Sequence, residues 1–326
     1  MALVAVLASV PLILGFLGPA HPFFDSFAHF RAQLGAVTLI AGLMSVFAAR
    51  GASRFVGGLA TIVAMAALWT VSPYVTTYGS TASAQPQTYT LLQMNVFHGA
   101  NLDAALDRIR TVAPDIVTLE EVTETGAARF AEVRDLYPFQ RLCKASGYSP
   151  GQAILSRHPF IGAPPICRPE SGFLAQRIEI DGAELTLVAQ HLSWPWPHGQ
   201  WEVVDALAPT LGTLDWPVMI GGDFNAAPWS ASVRRYAARS GTSPVGGIGP
   251  TWMHPKLLDT IPFWVGLPID NVLVSRGIHV VSAGTEAPTE SDHLPVVVRF
   301  TIDNSFALGQ SLTERARRCA ANANAC

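Results

Sequence analysis

The first 79 residues of the chain are almost free of charge, and this limits what they can fold into more than any other feature of the sequence. They hold three apolar stretches, at residues 2–17, 34–49 and 55–73. The third is long enough to cross a bilayer, and the first two are near the lower limit of about 17 residues. Because none of the stretches has a polar face, a soluble helical hairpin is disfavoured. We therefore predict a membrane segment with three transmembrane helices over residues 1–75.

The few charged side chains of this segment predict its orientation. The loop between the second and third stretches holds Arg50 and Arg54, whereas the preceding loop holds Arg31 beside Asp25. Since basic loops stay in the cytoplasm, we place the N-terminus there and everything after Pro73 on the periplasmic or extracytoplasmic side. The chain is then a multi-pass protein of the inner (plasma) membrane. A signal peptide is the alternative for the first stretch, although no Lys or Arg precedes it.

The four cysteines all lie in the part assigned to the outside. An even number in an oxidising compartment permits disulfides, and the candidate pairs are Cys143 with Cys167 and Cys319 with Cys326. Four unpaired thiols are the alternative. None of the four stands in a Cys-x-x-Cys or Cys/His cluster, which argues against a zinc site.

The rest of the chain has the composition of a soluble, slightly acidic domain. With the charges of the first 79 residues set aside, 18 basic and 23 acidic side chains remain, a balance of −5. Strong nonspecific nucleic-acid binders are usually basic, so tight binding to long duplexes is disfavoured. The small, uncharged residues 76–88 are typical of a linker. We assign residues 89–302 to the domain and residues 303–326 to a C-terminal tail.

Apolar runs separated by turn signals predict the elements of this domain. Asn101 is expected to cap a helix that Pro114 stops, and Asp181-Gly182 predicts a hairpin turn. Helices are also expected over residues 200–210 and 230–238. The predicted strands are residues 89–94, 115–119, 151–156, 173–180, 184–190, 217–220, 269–275 and 296–302, with an edge strand at 278–282.

Polar side chains stand at the ends of many of these strands. Each has an ordinary structural explanation when taken alone: Glu120-Glu121 as a solvated strand end, and His191 as a structural histidine. Asp223 and Asn225, in the sequence GGDFN, would share one face if the strand continues, or would form an Asx-type turn after two glycines. The full set comprises Asn95, Glu121, His191, Asp223, Asn225, Asp270, Asp292 and His293.

Together these side chains predict a metal-dependent reaction on a phosphoester. Oxygen ligands without cysteine suit Mg²⁺ or Mn²⁺ better than zinc. Phosphodiester cleavage needs a base that forms hydroxide, a cation that neutralises developing charge, and an acid or metal at the leaving oxygen. The set contains groups for all three tasks.

Six segments resemble the endonuclease/exonuclease/phosphatase superfamily. They are LLQMNVFHG, PDIVTLEEV, LTLVAQHLSW, VMIGGDFNAAP, IDNVLVS and ESDHLPVVV, and they occur in the order of that family. With the apolar segment, the chain resembles a bacterial, membrane-anchored branch. The resemblance implies an α/β fold, a four-layer α/β sandwich of two mostly antiparallel sheets with helices outside. It also implies a phosphodiesterase or phosphatase whose substrate is a lipid head group, a small phosphoester or a nucleic acid.

The same resemblance assigns roles to the residues. Glu121, Asn95 and Asp292 are expected at the metal, with Glu120 standing where the family usually has Gln. Asp223 is expected to orient or deprotonate the attacking water. Asn225, His293 and His191 would contact the phosphate or the leaving group, and Asp270 would orient His293.

Two functional alternatives and one loop stay open at this point. The enzyme could instead be a nuclease acting on DNA or RNA, or the domain could be a catalytically inactive membrane-binding module. The aromatic, Pro-rich residues 193–201 are expected either to stack on a substrate group or to lie against the bilayer. No protein partner is indicated.

Overall fold

The computed structural model describes residues 1–75, 87–98, 100–144, 150–254, 257, 262 and 265–303. Most of the predicted linker over residues 76–88 and of the predicted tail over residues 303–326 falls outside these ranges. Cys319 and Cys326 also lie outside the described residues, so their pairing stays a prediction.

The apolar segment folds into four helices. They are α1 (Ala2–Phe16), α2 (Pro22–Ala28), α3 (Arg31–Ala48) and α4 (Ala52–Val75). By length and composition, α3 and α4 could cross a membrane, whereas α1 has 15 residues and contains Pro11. The sequence did not predict α2, which begins where the ring of His21 accepts a hydrogen bond from the Phe23 amide.

Arg31 joins these helices from a buried position at the start of α3. Its guanidinium donates to the carbonyl of Gly15 in α1 at 3.0 Å and to the hydroxyl of Thr70 in α4 at 3.1 Å. A buried guanidinium needs such partners. Arg31 is therefore a packing residue of the helical segment rather than a solvated loop charge.

The remaining described residues form two six-stranded sheets with helices. The first sheet has the strand order β11-β12-β1-β2-β4-β3 and the second β5-β6-β7-β8-β10-β9. In chain order the elements are β1 (Tyr89–Asn95), α5 (Asp103–Val112), β2 (Ile116–Val122), α6 (Glu124–Arg129), β3 (Phe139–Cys143), β4 (Gly151–Ser156), β5 (Ile166–Arg168), β6 (Phe173–Ile180), β7 (Ala183–His191), α7 (Gln200–Leu211), β8 (Val218–Asp223), α8 (Ala231–Ser240), β9 (Ser243–Pro244), β10 (Asp270–Val274), β11 (Ile278–Thr285) and β12 (Val296–Ile302).

The sheets pack face to face, and this confirms the predicted four-layer sandwich. Each sheet is mostly antiparallel with one parallel pair, β1 with β2 and β7 with β8. The central core includes Leu91 of the first sheet and Leu187 of the second. Apolar residues of α5 cover the outer face of the first sheet, and those of α7 and α8 cover the outer face of the second.

Strand alternation sends polar side chains of β1 between the sheets. Leu91 packs in the central core, while Leu92 and Met94 pack in the outer cluster with α5. Because successive side chains of a strand point to opposite faces, Gln93 and Asn95 share the inner face with Leu91. Both are almost fully buried.

A bulge in β2 turns Glu121 away from the position that alternation would give it. The pairing with β4 shifts register between Leu119 and Val122, and Glu121 has a φ of +58°. A side chain of this size in the left-handed region costs about 1–3 kcal/mol. Glu120 then points between the sheets, and Glu121 reaches the rim of the sandwich on the same side.

The glycines of GGDFN lie in a strand rather than in a turn, which corrects the predicted end at residue 220. A Cβ on Gly222 would stand 1.9 Å from the Gln190 carbonyl oxygen of β7. A Cβ on Gly221 would stand 2.6 Å from the Thr118 hydroxyl of the other sheet. Glycine is required here because strands and sheets approach closely, and β8 continues to Asp223.

Three smaller expectations have clear outcomes. Asn101 does not occupy the N-cap of α5, although its side chain accepts from the Asp103 amide at 3.1 Å just ahead of the helix. The predicted hairpin at Asp181-Gly182 is present between β6 and β7. The predicted Cys143–Cys167 disulfide is also present, and it links edge strand β3 of one sheet to edge strand β5 of the other.

Candidate active site

The candidate site lies where strands of the two sheets end side by side. The parallel strands β1 and β2 bring Asn95 and Glu121 to one edge of the first sheet. In the second sheet, Asp223 pairs with His191 of β7 and with Asp270 of β10. Both sheets therefore contribute polar side chains to one rim of the sandwich.

Asn95 bridges the acidic residues of the two sheets. Its side-chain nitrogen donates to Glu121 Oε1 at 3.1 Å and to Asp223 Oδ2 at 3.0 Å. The other oxygen of Glu121 accepts from the backbone amide of His98 at 3.2 Å and lies 2.6 Å from Nδ1 of the same residue. These contacts fix the carboxylate of Glu121 at the mouth of the site.

His191 and Asn225 surround the carboxylate of Asp223. The Nε2 atom of His191 lies 3.6 Å from Asp223 Oδ2 and 3.8 Å from Glu121 Oε1. The side-chain nitrogen of Asn225 donates to the Leu192 carbonyl at 2.8 Å and lies 3.2 Å from Asp223 Oδ2. The backbone amide of Asn225 donates to Asp223 Oδ1 at 2.7 Å.

A buried ion pair completes the site from the other side. His293 Nδ1 lies 2.8 Å from Asp270 Oδ2, which orients the ring. The opposite nitrogen of the ring, Nε2, lies 3.7 Å from Asp223 Oδ2 and 4.0 Å from Asp292 Oδ1. The indole of Trp252 donates to Asp292 Oδ2 at 2.9 Å. Every residue of the predicted set is thus within reach of this rim.

Glu120 lies beneath the site in a fully buried position. The amide of Gln93 donates to Glu120 Oε2 at 2.8 Å and to Asp270 Oδ1 at 3.0 Å. Burial raises the pKa of Glu120 well above its usual value, and the negative charges of Asp270, Asp223 and Glu121 raise it further, against the opposing hydrogen bond from Gln93. The raised pKa favours the neutral acid, which would add no charge at the position where the resemblance implies Gln.

The pKa values of the other acids and histidines follow from burial and from their neighbours. Burial raises the pKa of Asp223 to about 7, although the nearby His293 opposes the rise. Burial alone would lower the pKa of His293, but Asp270 and Asp223 raise it to about 10. Hence His293 is a cation at neutral pH, and Asp223 titrates near neutrality.

Glu121 and His191 have the charge states that a cation site requires. Burial favours a raised pKa for Glu121, but His191 and the hydrogen bonds from His98 and Asn95 lower the pKa below its usual value. Burial lowers the pKa of His191 despite the opposing charge of Glu121. At neutral pH the site therefore offers a carboxylate at Glu121 beside a neutral imidazole at His191.

Two groups of side chains have ligand atoms close enough to hold a cation. Atoms of Glu121, His191 and Asp223 lie within 4.8 Å of one another, and so do atoms of Asp223, Asp270 and His293. The first group fits a divalent cation better, because the second contains the protonated His293. Asp292 Oδ1 is buried without a hydrogen-bond partner among the described residues, and an acidic oxygen left in this state suits a cation. The donor set therefore fits a hard metal ion.

A polar groove gives access to this position. Its volume is about 290 Å³, and its walls include Glu121, His98, Thr123 and Arg129. Arg129 is paired there with Asp103 and Glu132, and the groove opens to solvent beside Glu121. A phosphoester of modest size can thus reach Glu121 from solvent.

Several supporting residues escaped sequence reasoning. Gln93 stands inside an apolar run, and a polar residue in a buried strand is the signal that could have identified it. Ser291 donates to the Asn95 carbonyl at 2.8 Å and accepts from the His293 amide at 3.1 Å. No sequence pattern marks Trp252 and His98 as site residues, because each contacts a site residue that is distant in sequence, Asp292 and Glu121 respectively.

The aromatic residues 193–201 pack on the helical segment. The ring of Trp194 lies 5.4 Å from that of His29, and the ring of Trp196 lies 5.1 Å from that of Phe23. The sequence had predicted that this loop would stack on a substrate group or lie against the bilayer, and contacts with the helical segment were not among these expectations. Trp194 is half-buried, and Trp196 is exposed. The loop therefore connects the β7 end of the site to α2.

Comparisons with known proteins agree with the fold. A profile described as the Endonuclease/Exonuclease/phosphatase family matches residues 92–293, which include all but the flanks of the sandwich. Two Vibrio cholerae proteins described as UPF0294 proteins are 32% identical over 139 residues, which cover 42% of this chain and 47% of each relative. The chain thus spans about half the length of the curated relatives that it matches.

Solved structures share the fold at low sequence identity. An endonuclease/exonuclease/phosphatase protein from Beutenbergia cavernae is 21% identical, with a TM-score of 0.52 over 67% of this chain and 72% of that chain. A D. rerio TDP2 complexed with a single-strand DNA product is 17% identical, with a TM-score of 0.53 over 66% of this chain and 100% of that chain. A Bacteroides vulgatus protein is 15% identical, with a TM-score of 0.53 over 67% and 100%. At these identities the likeness establishes the fold alone.

Proposed function

The chain belongs to the endonuclease/exonuclease/phosphatase family, whose members hydrolyse phosphoester bonds, and we propose that it is a membrane-embedded, Mg²⁺-dependent phosphoester hydrolase. The observation that carries the proposal is the close approach of Glu121, His191 and Asp223 beside the Asp270–His293 pair. This arrangement combines a cation position, a base near neutrality and a fixed positive charge. Phosphoester hydrolysis needs these three features.

The cation would be held by Glu121, with Asn95 and Asp292 as the other expected ligands and His191 close by, so that Asp223 stays free to act as the base. Oxygen donors predominate in this set, which favours Mg²⁺, with Mn²⁺ as the alternative. A bound divalent cation supplies charge neutralisation at the phosphate and lowers the pKa of water. The remaining chemistry belongs to the side chains.

Asp223 is the base in this proposal. Its pKa of about 7 lets the carboxylate accept a proton from water at neutral pH. The backbone amide of Asn225 holds one carboxylate oxygen, at 2.7 Å, and leaves the other facing the site. Asn225 also has a side-chain amide at the rim, where it can donate to a phosphate oxygen.

His293 stabilises the negative charge that develops on the phosphate. Asp270 keeps its ring oriented and protonated, so no reorganisation is needed during the reaction. His191 is neutral and lies on the opposite side of Asp223, where it can contact the phosphate or the leaving oxygen. The two histidines therefore have different charges and different tasks.

A cavity between the helical segment and the catalytic domain favours a lipid-derived phosphoester as the substrate. The cavity has a volume of about 490 Å³, and mainly apolar side chains line it, among them Val37, Tyr74 and Trp229. Its walls come from α3 and α4 on one side and from the catalytic domain on the other, and they include Asp270. An acyl chain drawn from a bilayer is the apolar group that such a position would receive.

The test uses the full-length protein in detergent micelles with bis(p-nitrophenyl) phosphate. We expect p-nitrophenol release that requires Mg²⁺ and disappears in the Asp223→Ala variant. A folded wild-type protein without metal-dependent hydrolysis would overturn the proposed function.

A second arm compares phospholipids, sphingomyelin and single-stranded DNA. Preferred hydrolysis of DNA would retain the hydrolase and replace the lipid with a nucleic acid.

A further inference from the structure

The helical segment contacts the catalytic domain at the loop that follows the predicted base. Residues 225–232 lead from the end of β8 into α8 and carry Asn225. Two side chains from residues 25–29 bind this loop directly, and both are fully buried. They are Asp25 of α2 and His29, which lies in the turn between α2 and α3.

Asp25 caps α8 from a distant part of the chain. Its Oδ1 accepts from the Ala231 amide at 2.7 Å, and its Oδ2 accepts from the amide and the hydroxyl of Ser232, both at 2.8 Å. The first amides of a helix have no partners within the helix, and its N-terminus favours a negative charge. A buried carboxylate with three donors in this position fixes where α8 begins.

His29 binds the same loop closer to Asn225. Its Nδ1 accepts from the Ala227 amide at 3.1 Å, so this nitrogen carries no proton. The carbonyl of Ala28 accepts from the indole of Trp229 at 2.7 Å. Residues 28 and 29 thus hold the loop at two points, two and four residues beyond Asn225.

Asn225 needs external support because of its backbone conformation. Its φ is +47°, in the left-handed region, which costs a non-glycine residue conformational free energy even though Asn tolerates it best. On one side its amide is held by Asp223. After Asn225 in the chain, the next backbone amide that donates to a side chain is that of Ala227. Its acceptor is Nδ1 of His29.

We propose that Asp25 and His29 are positioning residues for Asn225, so that the helical segment is part of the catalytic unit rather than only an anchor. The inference rests on the proposed hydrolase function for its kinetic consequences. It predicts that the loop of residues 225–232 keeps its active conformation only while residues 25–29 are docked on it.

The test replaces His29 with two residues of nearly equal size. In His29→Asn, the side-chain oxygen can occupy the position of Nδ1 and accept from Ala227. In His29→Leu, no acceptor is present. We expect His29→Leu in the full-length protein to lower kcat by about 10²-fold, as small misplacements of reacting groups do, with KM little changed. His29→Asn should recover most of the rate, and His279→Ala, which replaces an exposed histidine on β11, should leave it unchanged.

A double-mutant cycle separates positioning from general destabilisation. In the Asn225→Ala background, His29→Leu should cause little further loss of kcat, because the side chain that His29 positions is already absent. An equal loss in both backgrounds, or equal rates for His29→Leu and His29→Asn, would overturn the inference.

Hydrogen exchange gives a readout that does not depend on activity. The amides of residues 227, 231 and 232 should be protected in the wild type and in His29→Asn, and should exchange faster in His29→Leu and in Asp25→Ala. Unchanged protection in both variants would contradict the docking. An inactive wild type with this exchange pattern would refute the hydrolase and retain the docking, so the two failures can be told apart.

Discussion

Asp270 and His293 form a buried ion pair in which Oδ2 and Nδ1 are 2.8 Å apart, although 23 positions separate the two residues. Asp270 opens β10, and His293 lies in the loop ahead of β12, so the pair joins strands of different sheets. The carboxylate both orients the imidazole and raises its pKa to about 10. The first predictions follow from this double role.

Removing His293 should strongly reduce turnover without unfolding the protein. We expect His293→Ala to lower kcat by about 10²–10³-fold, the loss typical of one charge-stabilising group. Asp223→Ala should be at least as severe, because it removes the proposed base. The measurement is Mg²⁺-dependent hydrolysis of bis(p-nitrophenyl) phosphate, with circular dichroism to check folding. A folded His293→Ala variant of full activity would remove His293 from the site.

Asp270→Asn should change the pH profile in a defined direction. His293 acts as a cation, so activity falls when pH rises through its pKa. Asp270 raises that pKa, and its neutral replacement should therefore move the alkaline limb to lower pH. The acid limb belongs to Asp223, whose pKa of about 7 sets an upper bound because a bound cation would lower it. An alkaline limb that stays in place would show that another group controls it.

Glu120 and Glu121 are adjacent in sequence and should respond in opposite ways to the same substitution. Glu121→Gln removes a carboxylate from the proposed cation position, and we expect a loss of about 10²–10³-fold in rate with weaker Mg²⁺ dependence. Glu120→Gln replaces a neutral acid with a neutral amide that can still accept from Gln93. Its activity should stay close to that of the wild type. A severe loss in Glu120→Gln would assign the metal to Glu120 instead.

Glu120 should also make stability fall as pH rises. A carboxyl whose pKa is raised in the folded state binds its proton more tightly there than in the unfolded state, whose pKa is near the usual 4.5. Its contribution is full below that value and is lost progressively as pH increases toward the folded pKa. Thermal melts in detergent should show a steeper loss of stability above pH 4.5 for the wild type than for Glu120→Gln. Parallel curves would contradict a neutral Glu120.

His98 offers a test of the cation site that leaves the proposed ligands intact. It contacts Glu121 through both its backbone amide and its ring. Residues that orient a metal ligand typically contribute about 10–100-fold to metal affinity. We expect His98→Ala to require that much more Mg²⁺ for half-maximal activity, whereas His279→Ala, which replaces an exposed histidine on β11, should not. If the wild type and His98→Ala required the same Mg²⁺ concentration, His98 would not be a residue that orients Glu121.

Much of the sandwich, and the grouping of polar side chains at its rim, could be predicted from the sequence, because strand alternation and strand ends are local patterns. Asp223, Asn95 and His191 all follow this logic. The neutral state of Glu120 could not be predicted, since it depends on burial between two sheets. Asp25 also gave no signal: its partners, Ala231 and Ser232, lie more than 200 positions away, and contacts of this kind follow from the tertiary fold alone.

The docking contacts bear on the orientation that the proposed membrane-embedded chain would have. The catalytic domain touches both α2, through Asp25, and the end of α4, where the Tyr74 carbonyl accepts from the Gly247 amide. The loop ahead of α3 and the residues after α4 must then lie on the same side of a membrane that these helices cross. Arg31 is buried, while Arg50 and Arg54 are exposed at the opposite end of these helices. The exposed positive charges are thus concentrated in the loop between α3 and α4, which favours a cytoplasmic position for that loop.

Alkaline phosphatase fusions measure this orientation directly, because the enzyme is active only outside the cytoplasm. A fusion after residue 80 retains all four helices and should be active. A fusion after Gly51 ends in the loop between α3 and α4 and should be inactive. Replacing both Arg50 and Arg54 with neutral residues should weaken the difference, since it removes the exposed charges that set the orientation. The reverse pattern, with activity at Gly51 alone, would place the catalytic domain in the cytoplasm and the proposed substrate on the inner face of the membrane.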